Sequence, residues 1–379
     1  MKRRLAMQKL TRQDLYDILY GCTILGTGGG GDLKEGLSLI DRALDAGKEF
    51  ILVGLDEVPD DALIACPYIC GSISPLTEEE ERKYTGLPRI GEEPPLRAFK
   101  ALEEYLGKEF YGVISTELGG ANTAQAFYVA ASLGRYIVDA DPAGRSVPEL
   151  QHSTFFVGGI SINPMGVANE FGDVAIVTEV VDDFRAEALV RAMAVASKNS
   201  IGVADHVATG GELRGAVIPG AISYALKIGR AYREAKEGGS DVAAEIAAAG
   251  GGFPLFKGKV RDFSWWDEDG FTFGNTYIDG EGDYANSTYR IWFKNENIVA
   301  WRDDEIDVTV PDLICVFNAD RGEPVINPHY ETGMRVSVIG LPAPKEWRTE
   351  RGLEVFGPKH FGYDIEYVPI EEKFAESGE

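Results

Sequence analysis

Apolar residues first recur at helical spacing along this chain and then alternate between helical stretches and short strand-sized runs. Thr11 and Asp14 form a capping-box-like start for a helix through Leu15, Ile18, Leu19 and Cys22. Asp32 is placed to cap a second helix whose apolar face, Leu33, Leu37, Ile40 and Leu44, is spaced 4, 3 and 4 before Gly47 ends it. Residues 50–55 and 63–70 read as strands, the second ending in Gly71-Ser72. The charged, proline-flanked stretch 78–93 suits a surface excursion or flap. Pro94-Pro95 then opens a helix through Leu96, Phe99, Leu102 and Leu106. A strand at 111–115, a small-residue helix at 123–133 and a strand at 136–138 follow. Strands alternating with helices predict an α/β domain with a mainly parallel sheet.

Beyond Gly158 the pattern changes. A strand is expected at 174–181, a helix at 184–197 and a longer helix at 216–237 carrying Ile222, Leu226 and Ile228. Then come short strands at 259–265, 270–278, 287–293, 298–301, 313–318 and 335–339, separated by Gly, Asn and Asp turns. The expected fold is α/β, with residues 1–170 an α/β domain and 171–379 a β-rich α+β domain. The boundary is set within a dozen residues of 170.

The length of 379 residues suits two domains, and 44% hydrophobic content is enough for real cores. The longest apolar runs are strand-sized, too short for a bilayer, and the basic residues 1–4 are not followed by a signal-peptide core. A cytoplasmic protein with no membrane partner is therefore expected. A net charge of -24, from 61 acidic against 37 basic residues, repels phosphate backbones and argues against nucleic acid as a partner. Cys22, Cys66, Cys70 and Cys315 make no CxxC pair and are expected as free thiols. His152, His206, His329 and His360 show no HxH or HExxH spacing, so zinc has no sequence signature here.

Three motifs fall at helix starts or strand ends, where ligands of parallel α/β domains collect. The loop Gly26-Thr27-Gly28-Gly29-Gly30-Gly31 offers unobstructed backbone N–H groups and a helix N-terminus, suited to an anion or a carbonyl oxygen. No Gly-Lys-Ser/Thr follows, and no strand precedes it, which excludes both a P-loop and a dinucleotide fingerprint. Glu117-Leu118-Gly119-Gly120-Ala121-Asn122 sets a carboxylate beside two glycines and an amide that donates and accepts. Asp139 and Asp141 would project together from an extended chain, giving a pair able to share a proton or hold a hard cation. Arg145, Glu149 and Gln151 extend that motif. A plain helix–helix turn, a solvated Glu117 and a structural Asp–Arg network are the bland alternatives.

Together, GTGGGG, ELGGAN, DADPAGRSVPELQ and the later GPKHFGYDIEYVPI (357–370) resemble the S-methyl-thiohydantoin desulfurase-like family over nearly the whole chain. The resemblance implies hydrolytic removal of the sulfur substituent from a small cyclic thiohydantoin, leaving a hydantoin. Glu117, Asp139, Asp141 and His360 are then the expected catalytic groups. Gly28, Gly29, Gly30, Gly31, Gly119, Gly120, Asn122, Arg145, Glu149 and Gln151 are the expected substrate-binding ones. Carboxylates of this kind act as acid and base, or hold a divalent metal of unspecified identity that activates water. The alternatives are a metal-dependent cyclic amidohydrolase and a non-catalytic partner of a hydantoinase-type complex. Homo-oligomerisation also stays open. Residues 357–363 are expected to form a shaped loop bringing His360 to the site.

Overall fold

The computed structural model describes residues 7–71 and 77–376; the basic residues 1–4 and Ser72 lie outside them. It divides into two units. The first takes the chain to Leu15, then Gly31–Gly144 and Glu149–Ser223; the second takes Tyr16–Gly30, Arg145–Pro148 and the chain from Tyr224 onward. Both the glycine loop and the DADPAGR motif are therefore divided between units.

The first unit is built on one sheet. Its strands are β1 (Gln8–Lys9), β2 (Ile51–Gly54), β3 (Leu63–Gly71), β4 (Gly112–Val113), β5 (Tyr136–Asp141), β6 (Met165–Ala168), β7 (Val174–Val177), β8 (Ser200–Thr209) and β9 (Ile218–Pro219). Their order is β1-β2-β5-β4-β3-β8-β6-β7, with β9 paired to the end of β5. The four central strands, β2, β5, β4 and β3, are parallel, and antiparallel strands flank them. The expected α/β class holds, with a parallel centre. Helix α1 (Arg12–Leu25) lies mostly in the second unit, while α2 (Leu33–Asp45), α3 (Glu78–Lys83), α4 (Pro94–Leu106), α5 (Asn122–Leu133), α6 (Thr154–Gly158), α7 (Asp183–Val195) and α8 (Gly210–Leu213) intervene between the strands of the first. One core gathers Val53, Cys66, Tyr68, Val138 and Val203 from the sheet with Phe155, Ala186 and Val190 from helices.

Local chemistry explains the boundaries. Thr11 and Asp14 cap α1 reciprocally, Thr11 N donating to Asp14 Oδ2 and Asp14 N to Thr11 Oγ1, both at 3.1 Å. Asp32 caps α2 through the N–H groups of Lys34 and Glu35. The buried face of α2 differs from the expected one: Gly36, Leu39, Ile40 and Ala43 are buried, while Leu33, Leu37 and Leu44 are only half-buried. The helix is turned because Gly36 lies against the backbone of Gly120, where a Cβ would meet the carbonyl oxygen at 1.9 Å. The strand β8 went unforeseen, because Gly202 and the polar pair Asp205-His206 interrupt its apolar alternation. The long helix expected from residue 216 starts five residues later, since Ile218–Pro219 pairs with β5 and Gly220 takes φ +75°.

The second unit carries an antiparallel sheet of β10 (Phe253–Glu268), β11 (Phe271–Gly280), β12 (Thr288–Lys294), β13 (Glu296–Arg302), β14 (Glu305–Thr309), β15 (Leu313–Asn318), β16 (Glu323–Pro324) and β17 (Arg335–Leu341). Its order is β14-β13-β12-β11-β10-β17-β15-β16. Alternation along β11 and β12 buries Ile278, Tyr289, Ile291 and Phe293 on one face, as the period-two pattern requires. Helices α9 (Ala221–Gly238), α10 (Val242–Gly250), α11 (Glu350–Phe356) and α12 (Ile370–Glu376) complete the set. Among the described residues no helix is long and apolar enough to cross a membrane.

Candidate functional site

The central strand β5 ends in two buried aspartates with different occupations. Asp139 Oδ1 accepts from Ser223 N at 2.9 Å and Oδ2 accepts from the Ser223 hydroxyl at 2.6 Å. Burial raises its pKa and these hydrogen bonds oppose the rise. Asp141 Oδ1 accepts from the N–H groups of Ala143 and Gly144, each at 2.7 Å. Its Oδ2 is buried and receives no hydrogen bond of good geometry. Burial, only partly offset by those N–H groups and the nearby Ser115, pushes the Asp141 carboxyl up to about 7. The backbone N–H of Glu117 also favours the ionised form, but less than burial opposes it.

One strand away, Glu117 stands just past β4 with φ +58°, the left-handed region that costs any side chain. It is half-buried, and Asn122 Nδ2 donates to its Oε2 at 3.1 Å. Asn122 Oδ1 in turn accepts from Ile69 N of β3 at 3.0 Å. Gly119 N donates to Thr123 Oγ1 at 3.2 Å, tightening the turn into α5. Gly31, with φ +80°, lies so close to Ala121 that a Cβ would come within 2.6 Å of its methyl. Glu117 is thus a half-buried carboxylate held by Asn122 on a backbone of positive φ.

The segment after the DADPAGR motif folds back onto the end of β5. Thr154 N donates to Pro142 O at 2.6 Å, and the next residue, Phe155, stacks on His206 with centroids 4.5 Å apart. Glu149 accepts from Gln151 Nε2, and Leu150 N donates to Glu187 of α7 at 3.1 Å. Glu149 and His152 each offer a metal-ligating atom within 4.8 Å of the other. Gln151 is buried, with Oε1 lacking a hydrogen bond.

A constellation that sequence reading missed lies on β8. His206 takes φ +44° where the register of β3 against β8 shifts, a bulge that re-aims its ring. Its Nδ1 is 2.8 Å from Asp205 Oδ1, and Asp205 Oδ2 accepts from the Tyr68 hydroxyl at 2.6 Å. Its Nε2 stands 3.6 Å from Asp183 Oδ2 at the start of α7. All four side chains are buried. Burial alone would lower the imidazole pKa, but the charges of Asp205 and Asp183 outweigh it and push it up to about 9. The only sequence signal was the alternation Ile201, Val203, Asp205 across a strand.

The remaining expected residues belong to the second unit. Gly28 has φ +100° and Gly30 φ +83°. The loop is tied down by its own chain, Asn327 N donating to Gly28 O and Asn297 N to Thr27 O, each at 2.9 Å. Glu296 Oε1 comes within 1.9 Å of where a Cβ of Gly29 would stand, so a carboxylate of the protein itself lies at this glycine. Arg145 is fully buried: its guanidinium reaches Thr27 Oγ1 at 2.7 Å and the carbonyls of Asn297 and Asp312, both at 3.1 Å, and lies over the Phe356 ring. Burial pulls its pKa down to about 10 against the opposing charge of Glu296. His360 sits in a single tight turn, Pro358–Phe361, ended by Gly362 at φ +84°. A turn of 3-10 helix thus stands where a loop was expected, and Phe361 and Tyr363 meet Trp292 edge-on.

Fold and site define a two-unit α/β protein with a carboxylate-rich centre at the strand ends of its first unit. Family models for the S-Me-THD-like N-terminal and C-terminal domains match residues 13–179 and 181–370, and the chain belongs to that family. A crystal structure of a protein from Chromobacterium violaceum, a structural genomics target, shares the fold with a TM-score of 0.73 and 23% identity. The match covers 96% of this chain and 100% of that one. No curated protein matches the chain.

Proposed function

We propose that the protein hydrolyses a small cyclic thiohydantoin, converting an S-methyl-thiohydantoin into a hydantoin and methanethiol. Family membership supports the substrate class, and the carrying observation is Asp141, whose buried, uncommitted Oδ2 belongs to a carboxyl titrating at about 7. In this reading Glu117 takes a proton from water as its oxygen attacks C2 and the C2=N electrons move to ring nitrogen. The C2–S bond then breaks with its electron pair leaving on sulfur, and Asp141 protonates the thiolate. The hydroxyl proton lost as C2=O forms returns to Asp141, and Glu117 passes its proton to ring nitrogen. One water is consumed, and its two hydrogens are balanced by those gained on nitrogen and sulfur. Asn122 holds Glu117 in place, and Asp139 anchors the end of β5.

The test is turnover of a 5-substituted S-methyl-thiohydantoin in ¹⁸O-labelled water. Methanethiol and a hydantoin carrying one ¹⁸O at C2 are expected; unchanged substrate, or ring opening without thiol release, would contradict the proposal. A metal-assisted version is favoured by one observation, the facing ligand atoms of Glu149 and His152. There a cation would supply activated water, and loss of turnover on chelation with recovery on zinc addition is the result that separates it.

A further inference from the structure

His206 has the environment of a metal ligand rather than of a core histidine. In metal sites a ligating imidazole gives its other N–H to a carboxylate, which fixes the tautomer and makes the free nitrogen a better donor, and that carboxylate is itself held by a hydrogen bond. Here Asp205 Oδ1 lies 2.8 Å from Nδ1, and the Tyr68 hydroxyl fixes Asp205 from the other side at 2.6 Å. With Nδ1 so engaged, Nε2 is the nitrogen left to face the gap, and it binds a metal once its proton leaves. It faces Asp183 Oδ2, and neither atom has a hydrogen-bond partner although both are buried. Their separation is 3.6 Å, too long for a hydrogen bond. Two ligands each about 2.1 Å from a tetrahedral or slightly opened zinc-type ion stand roughly 3.4–3.6 Å apart. The bulge at His206 and its left-handed backbone aim the ring at that gap, and Phe155 holds the ring flat.

We propose that Asp183 Oδ2 and His206 Nε2 are two protein ligands of a divalent transition-metal site, with Asp205 and Tyr68 as the groups that orient the histidine. Glu187, one helical turn from Asp183, has its oxygens engaged by Arg191 and Leu150 N, so the remaining positions fall to water or a bound small molecule. Imidazole with a carboxylate suits zinc or cobalt and not calcium.

The site is independent of the proposed reaction, and its test needs no substrate. The full chain, stripped of metal, is titrated with Co²⁺ and with Zn²⁺ by calorimetry, with the cobalt d–d absorption as a second readout. The wild type should bind at least one ion with nitrogen–oxygen ligation. D183N and H206Q should each weaken that binding by about 10²-fold or more, and D205N by about 10–100-fold. E149Q and H152Q should retain it. Circular dichroism melts accompany each variant, and if H206Q does not fold, D183N decides, because asparagine there keeps the shape. No binding by the wild type, undiminished binding by D183N, or loss confined to E149Q and H152Q would overturn the assignment.

Discussion

Asp139 and Ser223 are joined twice, the backbone N–H at 2.9 Å and the hydroxyl at 2.6 Å each meeting a different carboxylate oxygen. This fastens the end of β5 to the first turn of α9. Both oxygens of Asp139 are thereby spent, whereas its neighbour on the same face, Asp141, keeps one. Asp139→Ala should cost about 1–3 kcal/mol by stranding two half-buried donors of Ser223, and Ser223→Ala less. The double variant should be non-additive in thermal melts, because the two share one interaction. Additive losses would mean that the pair carries no coupling.

Glu117 should be under strain. Glycine tolerates its φ of +58°, so Glu117→Gly should melt above Glu117→Ala by about 1 kcal/mol, although neither keeps the carboxylate. Turnover should fall by about 10²-fold or more in both. Equal melting of the two variants would place the strain elsewhere.

Arg145 should behave as a core residue. Lysine cannot reproduce the fork that meets Thr27, Asn297 and Asp312, so Arg145→Lys is expected to destabilise by on the order of 3 kcal/mol. KM of the folded remainder should not move. A stable variant with a raised KM would instead make the guanidinium a substrate group.

Much of this was legible in the chain. Caps at Thr11 and Asp32, the Pro94 helix start and the strands from β10 to β13 follow from local chemistry and from periods of 3.6 and 2. The strand-end positions of Glu117, Asp139 and Asp141 were readable for the same reason. Other features depend on partners far away in sequence. The spent state of Asp139 needs Ser223, 84 residues on, and the burial of Arg145 needs carbonyls more than 150 residues later. His206 looked isolated because Asp183, and the Tyr68 that holds its neighbour Asp205, come to it only through strand pairing and the start of α7. The face of α2 turned away from its sequence pattern because backbone contact at Gly36 outweighs the burial of Leu33 and Leu44.

The Asp141 carboxyl has a folded-state pKa raised from 3.8 to about 7. Between those values the folded protein binds the extra proton, so this contribution is fully present below about pH 4 and is lost as pH rises through about 7. Asp141→Asn removes it while leaving an oxygen for the Ala143 and Gly144 N–H groups. The wild type should therefore lose stability relative to Asp141→Asn across that window, by on the order of 4 kcal/mol. Parallel curves in denaturant melts at a series of pH values would refute the shifted carboxyl.

The central claim is that Asp141 gives the proton that lets sulfur leave, and methanethiol release measured against pH in wild type and Asp141→Asn tests it most directly. Across the range in which the base Glu117 stays ionised, the wild-type kcat should fall as pH rises through about 7, as the acid ionises. Asp141→Asn should fold, bind substrate with a similar KM and release methanethiol at least about 10²-fold more slowly, without that pH dependence. A well-folded Asp141→Asn protein that releases methanethiol at the wild-type rate with the same falling limb would contradict the account.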